Sequence, residues 1–314
     1  MNIDFLEALE EMARERGIDR EAAYEAMEKG IAAAYLAEYG GEEPPEVHID
    51  RRSGEIYVNG KPFDLARLGR IATRKAENVF RQEILRRRRE VLYEMYSARI
   101  GEIINGSVHR FEGRNVWLNL GEAEALLPES ERIPGERYIP GRRLRAYLYQ
   151  VEKTQGDPRI YVSRAHPQFV AKLLELEVPE IEQGLLEVVR VARAPGVRAK
   201  VLMRALDPRI DPVGTCVGAG GVRIRAVSRE MAGEKVDIVR WSEDPVELIK
   251  GSLAPATVLD VQVDEGEKRA LVTVPKAELS LAIGRDGHNV ALAAKLTGYD
   301  LEIRSPSGED SLTD

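Results

Sequence analysis

The sequence predicts a multidomain α+β protein: a helical N-terminal domain ending in one long helix, a five-stranded Greek-key barrel of the OB type, and two tandem copies of one small α/β domain. Three observations lead there. Apolar spacing is helical up to about residue 99 and then changes to short alternating strands. A Gly-x-x-Gly loop at residues 218–221 recurs at residues 284–287, and the elements flanking both loops follow in the same order. With 314 residues, 43% of them hydrophobic, the chain can fill two or more cores.

At the N-terminus, residues 4–15 place Phe5, Leu6, Leu9 and Met12 on one helical face, and Gly17 ends that helix. Asp19 can cap a second helix, running through Ala22, Met27, Ile31 and Leu36 to Gly40 and Gly41. Residues 47–50 and 55–58 alternate around the turn at 51–54, a hairpin signal. Pro62 then leads into a helix from about residue 64 to residue 96. It is too long for one small head to cover, and is read as a strut that packs the head at its start and carries Arg86, Arg87, Arg88 and Arg89 at its far end. That run is either a solvated surface or a contact to a partner.

Strand-like segments at 103–111, 115–120, 123–127, 142–151 and 160–163 follow, a spacing that suits a small OB-type barrel, a common oligonucleotide scaffold. In the second strand Val116, Leu118 and Leu120 share one face and leave Trp117 and Asn119 on the other. Trp117 either stacks on a base or is buried against a neighbouring domain. Gly106-Ser107-Val108, Leu118-Asn119-Leu120-Gly121, Ala125-Leu126-Leu127-Pro128 and Tyr161-Val162-Ser163-Arg164 resemble the S1 RNA-binding domain.

The two Gly-rich stretches superpose residue by residue: Cys216-Val217-Gly218 over Ala282-Ile283-Gly284, Gly221 over Gly287, Ile224 over Val290. Each unit reads helix, strand, strand, helix, loop, helix, strand. A Gly-x-x-Gly between two helices beside a three-stranded sheet is the layout of the KH domain, in which the loop clamps the backbone of single-stranded RNA; with the third strand last it resembles the bacterial, type II arrangement. Glycines let the chain approach a phosphate, and the amides and dipole of the following helix favour the anion. The domains are expected at 1–99, 100–166, 167–243 and 244–314. No Gly/Ser-rich linker separates the last three, so one continuous RNA-binding face is expected. Residues 305–314 are polar and expected to be disordered.

The formal charge is −7, but it is unevenly spread: 4 Lys/Arg against 14 Asp/Glu in residues 1–50, 13 against 6 in 51–99, and 9 against 4 in 184–233. A local basic face on an acidic chain is an electrostatic footprint of RNA binding. The expected RNA-binding residues are Arg193, Arg198 and Lys200 on the strands, Gly218, Ala219, Gly220, Gly221 and Arg223 at the first loop, Gly284, Arg285, Asp286, Gly287 and Asn289 at the second, and Trp117 on the barrel. Arg225 and Arg229, four apart, are read as solvated. Asp286 opposes Arg285, so the second loop is expected to bind more weakly than a doubly basic one.

One cysteine, Cys216, excludes an internal disulfide, fits a reducing cytoplasm and suits a packing role. No signal peptide or apolar stretch of about 20 residues is present. The four histidines stand in unrelated settings, no Cys/His cluster suggests zinc, and there is no Gly-x-x-x-x-Gly-Lys-Ser/Thr loop. Neither catalysis nor a cofactor or metal is expected.

Several longer stretches carry a family resemblance: Leu68-Gly69-Arg70-Ile71-Ala72, Pro134-Gly135-Glu136-Arg137-Tyr138, Leu176-Glu177-Val178-Pro179-Glu180-Ile181, Asp211-Pro212-Val213-Gly214, Gly233-Glu234-Lys235-Val236-Asp237-Ile238, Leu253-Ala254-Pro255-Ala256 and Ala282-Ile283-Gly284-Arg285. With the domain order, they make the chain resemble the NusA family of bacterial transcription termination/antitermination factors over essentially its whole length. The resemblance implies a monomeric, non-enzymatic factor whose N-terminal domain docks on core RNA polymerase near the RNA exit. The S1-KH-KH part would take the nascent transcript, with pausing, hairpin-dependent termination and work with other antitermination factors as outcomes. Three departures stand out. Gly220 stands where relatives usually carry a basic residue, which shifts weight onto Arg223; Ala291 stands where an arginine is common, which weakens the second site; and the chain lacks the acidic repeats that follow the second KH domain in some relatives. The other reading is an RNA-binding module of ribosome-associated or RNA processing and decay complexes.

Overall fold

A computed structural model describes residues 2–306; the polar tail from residue 307 lies outside the described residues. The chain forms two compact units. The first comprises the residues up to Arg99 together with Val151–Arg159, and the second Ile100–Gln150 together with the residues from Ile160 onward.

In the first unit, helices α1 (Asn2–Glu15) and α2 (Arg20–Tyr39) precede a small antiparallel sheet of β1 (Val47–Ile49), β2 (Ile56–Val58) and β3 (Lys61–Pro62), and α3 (Arg70–Ser97) closes the unit. Asp19 caps α2, accepting from the Glu21 amide at 3.0 Å. The alternating apolar positions of the sheet and one stripe of each helix meet in a core of Leu6, Leu9, Tyr24, Ile31, Ile49, Ile56 and Ile84. α3 starts later than its apolar spacing suggests because Asp64 caps a separate 3₁₀ turn, Leu65–Arg67, through the Ala66 amide. The strut reading needs correction as well. Gly30 brings α2 against α3, where a Cβ would stand 2.8 Å from the Ala76 carbonyl oxygen, and Ile84, half-way along α3, is buried in the core. The arginine run is engaged inside this unit: Arg86 pairs with Glu83 at 2.8 Å and Glu90 at 2.6 Å, Arg87 with Glu25 at 2.7 Å, and Arg89 donates to the Gln155 carbonyl at 2.8 Å.

The second unit begins with a closed barrel of β4 (Ile103–Glu112), β5 (Asn115–Asn119), β6 (Glu124–Leu127), β7 (Arg143–Glu152) and β8 (Arg159–Ser163), in the order β4-β5-β6-β8-β7. Strand alternation turns Val116, Leu118, Ala125, Leu127, Leu144, Ala146 and Leu148 inward. The first α/β copy contains α4 (Pro167–Glu177), α5 (Pro179–Glu182), β9 (Leu186–Ala194), β10 (Arg198–Ala205), α6 (Pro212–Val217), α7 (Val222–Glu230) and β11 (Lys235–Arg240). The second contains α8 (Pro245–Ser252), β12 (Asp260–Asp264), β13 (Arg269–Thr273), α9 (Leu279–Ile283), α10 (His288–Thr297) and β14 (Asp300–Arg304). In each copy the central strand, β10 or β13, runs antiparallel to the strand before it and parallel to the last one. The expected duplication is present in topology as well as in sequence.

Barrel and first copy share a core. Ile133 of the barrel, with Ile103 and Tyr147 against it, joins Phe169, Leu173, Val201, Met203, Cys216 and Val227. Burial pushes the Cys216 thiol up to about 11, consistent with a packing role. Beside this core Arg164, 1% exposed, makes a forked pair with Glu136 (2.8 and 2.7 Å) and donates to the Glu230 carbonyl at 2.6 Å. Tyr138 donates to the same Glu136 at 2.7 Å, and the Arg164 guanidinium lies 5.2 Å from the Phe169 ring centre.

His166 sits at this junction. Its Nδ1 accepts from the Gln168 amide at 3.1 Å, capping α4, and its ring stacks on Tyr147 at 4.8 Å. Burial holds the imidazole below its ordinary pKa, Glu131 opposing and Arg193 reinforcing the shift. A group depressed in the folded state gives stability that is complete above its unfolded pKa and is lost as pH falls through the folded one. We therefore expect the urea midpoint to fall between about pH 7.5 and 5.5 by more in the wild type than in His166→Asn, which can cap without titrating. Parallel pH profiles for the two proteins would refute this.

Candidate nucleic-acid interface

The two Gly-rich loops have the same backbone. Gly218 and Gly284 lie at φ/ψ 73/168° and 77/169°, Gly220 and Asp286 at 56/20° and 53/24°, and Gly221 and Gly287 at 77/21° and 74/9°. Three residues of each loop thus have positive φ, which a glycine adopts without strain and an aspartate tolerates. The turn aims each loop at the start of the next helix. Neither α7 nor α10 has a side-chain N-cap, whereas Asp211, His166 and Asp244 cap α6, α4 and α8 of the same unit. The first amide of each helix, Val222 and His288, is held by the Ala219 and Arg285 carbonyls, and no side chain caps the positive dipole end that each helix start turns toward an anion.

Several of the expected RNA-binding side chains face inward. Arg193 and Glu234 form a bidentate pair at 2.9 Å with both side chains fully buried, and Arg193 also donates to the His166 carbonyl at 3.0 Å. Lys200, 0% exposed, donates to Asp237 at 3.1 Å and to the Ala254 carbonyl at 2.9 Å. Burial holds its ammonium below the ordinary lysine value, with Asp237 opposing. Asn289 is buried too: its Nδ2 donates to the carbonyls of Leu253 (3.1 Å) and Ala282 (3.0 Å), and its Oδ1 accepts from Arg198 at 2.8 Å. The expectation for Arg193, Lys200 and Asn289 is revised accordingly. Their charge and hydrogen-bonding capacity are committed to internal partners, and moving them to a ligand would leave buried carboxylates or carbonyls unpaired.

These residues belong to a seam between the two copies. The sheet of the first copy presents Ala192, Leu202 and Val239 to Leu292 and Leu296 of α10, with Leu248 of α8 and Trp241 alongside. Arg190 of β9 donates to the Leu296 carbonyl at 3.0 Å near the end of α10, where a cation complements the helix dipole. β10 is buried on both faces, while β13 keeps a single buried face.

Arg223 and Asn289 are equivalent positions, and both reach back across the loop. Arg223 donates to the Thr215 carbonyl at 2.9 Å and pairs with Glu180 at 3.0 Å, so its charge is already matched. A Cβ on Gly218 would meet Arg223, and one on Gly284 would meet Asn289. The glycines that open each loop thus make room for these side chains. Trp117 is half-buried on the barrel surface; its Nε1 donates to Glu112 at 2.8 Å, and Arg110, held by Glu124 at 3.1 Å, covers one ring face at 4.3 Å.

What remains for a polyanion lies around the loops. A groove of about 620 Å³ runs between the β9–β10 turn and the second loop, lined by Val197, Arg198, Lys235, Gly284, Arg285 and Asp286. Lys235 and Arg285 are exposed and, among the described residues, carry no ion pair. At the first loop Ala219 and Gly220 are exposed, and the Arg225 guanidinium lies against Gly221, where a Cβ would stand 2.8 Å from its Nη1. Arg225 is therefore not merely a solvated residue on the helix surface. The available signal was its position four residues beyond Gly221: helical side chains lean toward the N-terminus, so the fourth residue on covers the helix start.

Comparison with known proteins gives three family matches: residues 4–62 to the NusA N-terminal domain, 164–241 to the NusA-like first KH domain and 245–311 to the NusA-like second KH domain. The transcription termination/antitermination protein NusA of Bacillus subtilis is 39% identical over 97% of this chain and 91% of its own length. The proteins of that name from Thermus thermophilus and Mycobacterium bovis are each 37% identical, over 99% and 97% of this chain and 92% and 93% of their own lengths.

Proposed function

Because this chain belongs to the NusA family, we propose that it acts as a transcription termination/antitermination protein that holds nascent single-stranded RNA on its second unit while its N-terminal unit docks on core RNA polymerase near the RNA exit. The observation that carries the RNA part is the pair of identically folded Gly-rich loops, each opening into a helix without a side-chain cap, the second beside a groove with unpaired Lys235 and Arg285. Backbone amides and two free cations suit a phosphodiester chain, which needs charge and close approach rather than a deep pocket. The barrel adds an oligonucleotide scaffold next to the first copy. No helix among the described residues is long and apolar enough to cross a membrane.

The test is transcription on a hairpin-pause template with wild-type protein and a Lys235→Ala/Arg285→Ala variant. The variant is expected to crosslink less to the transcript, to lengthen the pause less, and to lose salt dependence of RNA binding by about 0.7 in logarithmic slope per phosphate contact removed. A wild-type protein that neither binds core polymerase through residues 1–99 nor changes pause lifetime would sink the proposal. Recovery of ribosomal subunits or a degradation complex in place of polymerase would favour an RNA-processing role.

A further inference from the structure

The first Gly-rich loop carries no cation of its own, since its four residues are Gly218, Ala219, Gly220 and Gly221. The second carries Arg285 at the position matching Ala219. One helical turn later the pattern inverts: Arg225 follows the first loop, and its counterpart after the second is Ala291. The structure gives this inversion a geometric meaning. Arg225 folds back so that its guanidinium occupies the space left by the missing side chain of Gly221, while nothing lies within 4 Å of the same place on Gly287. Arg225 is exposed and, among the described residues, has no hydrogen bond or ion pair. Its neighbour Arg223, by contrast, is neutralised by Glu180 at 3.0 Å.

We propose that Arg225 is the phosphate-contacting cation of the first loop, supplying from the helix the charge that Arg285 supplies from within the second. The inference rests on the RNA-binding reading above and deepens it by assigning a residue that family membership does not. Physically, the two arrangements solve one problem. A phosphate at the start of α7 or α10 meets the glycine-lined backbone and the positive dipole end in both copies, and one guanidinium completes its neutralisation from either side. The two cations approach from different directions, so the strand is held at different angles in the two copies. The small residue at Gly221 is part of the device, because any Cβ there would displace the guanidinium.

The experiment uses the full chain and a fluorescently labelled, unstructured A/C-repeat RNA of about 16 nucleotides, with affinity measured by anisotropy between about 50 and 200 mM salt. Arg225→Ala is expected to weaken binding roughly three- to tenfold at the low-salt end and to reduce the salt slope by about 0.7. Arg229→Ala, on the same helix face one turn further from the loop, is expected to change neither. Adding Ala219→Arg to Arg225→Ala, which moves the charge to the position it holds in the second loop, is expected to restore affinity and slope. Unchanged binding by Arg225→Ala, alongside a clear loss in Arg285→Ala, would overturn the assignment while leaving the RNA reading intact. If Arg225→Ala and Arg229→Ala lose affinity equally, the effect is one of overall charge and the assignment also falls. A wild-type chain that does not bind the RNA would overturn both.

Discussion

Arg164→Leu is expected to lower the unfolding free energy of the second unit by about 3–5 kcal/mol, because it strands the Glu136 carboxylate in a buried site with no cation. Arg164 and Glu136 have side chains 1% and 2% exposed, and the same guanidinium holds the carbonyls of Glu230 and Arg145. Urea unfolding of the full chain followed by tryptophan fluorescence reports on it, since Trp117 lies on the barrel and Trp241 follows β11 of the first copy. Arg164→Lys is expected to recover little, as an ammonium cannot fork to one carboxylate and two carbonyls at once. The double variant Arg164→Leu/Glu136→Leu is expected to be less unstable than the sum of the single changes, because no buried charge is then left alone. Arg114→Ala, which removes an exposed pair with Glu129 on the barrel, should cost at most about 1 kcal/mol. A loss that small for Arg164→Leu would show that the junction does not depend on this pair.

Leu296→Ala is expected to cost about 2–5 kcal/mol, the range for a buried leucine whose surroundings cannot collapse onto the gap. Leu296 is fully buried between α10 and the sheet of the first copy, where β9 and β10 are already held by their own helices. The seam is also the route by which the second loop is set against the β9–β10 turn. Limited proteolysis should therefore find the connection at residues 241–244 more readily in this variant, with Leu259→Ala, at an exposed leucine, as the control. If the variant melts like the wild type and its connection stays protected, the two copies are not held together by this seam.

The stretches that gave the family resemblance turn out to hold junction residues. Within Pro134-Gly135-Glu136-Arg137-Tyr138, Glu136 anchors Arg164 and Tyr138 donates to Glu136. Glu234 and Asp237, in Gly233-Glu234-Lys235-Val236-Asp237-Ile238, hold Arg193 and Lys200. Glu180 matches Arg223. The stretches that carry the family resemblance thus supply internal partners for basic residues, mostly within the first copy, with Glu136 and Arg164 tying the barrel to it. RNA would then meet what those junctions leave free.

Element order, strand alternation and the repeated loop were all legible in the chain, because each is written in residues close together. Gly218 and Gly284 imply a tight turn through their own backbone freedom, and the helix after the first follows from apolar spacing at Ile224, Val227 and Met231. The availability of charge was not legible, since it depends on partners far away in sequence. Arg193 meets Glu234 41 residues on, Lys200 meets Ala254 54 residues on, and Arg198 meets Asn289 91 residues on. No periodicity marks such pairs, and a buried lysine reads like a surface one until both faces of its strand are known to be covered. Sequence alone determined that this chain carries two Gly-x-x-Gly loops on a duplicated fold. Only the tertiary structure decided which cations stand beside them, because burial and ion pairing remove Arg193, Lys200 and Arg223 from that role and leave Lys235, Arg285 and Arg225 exposed.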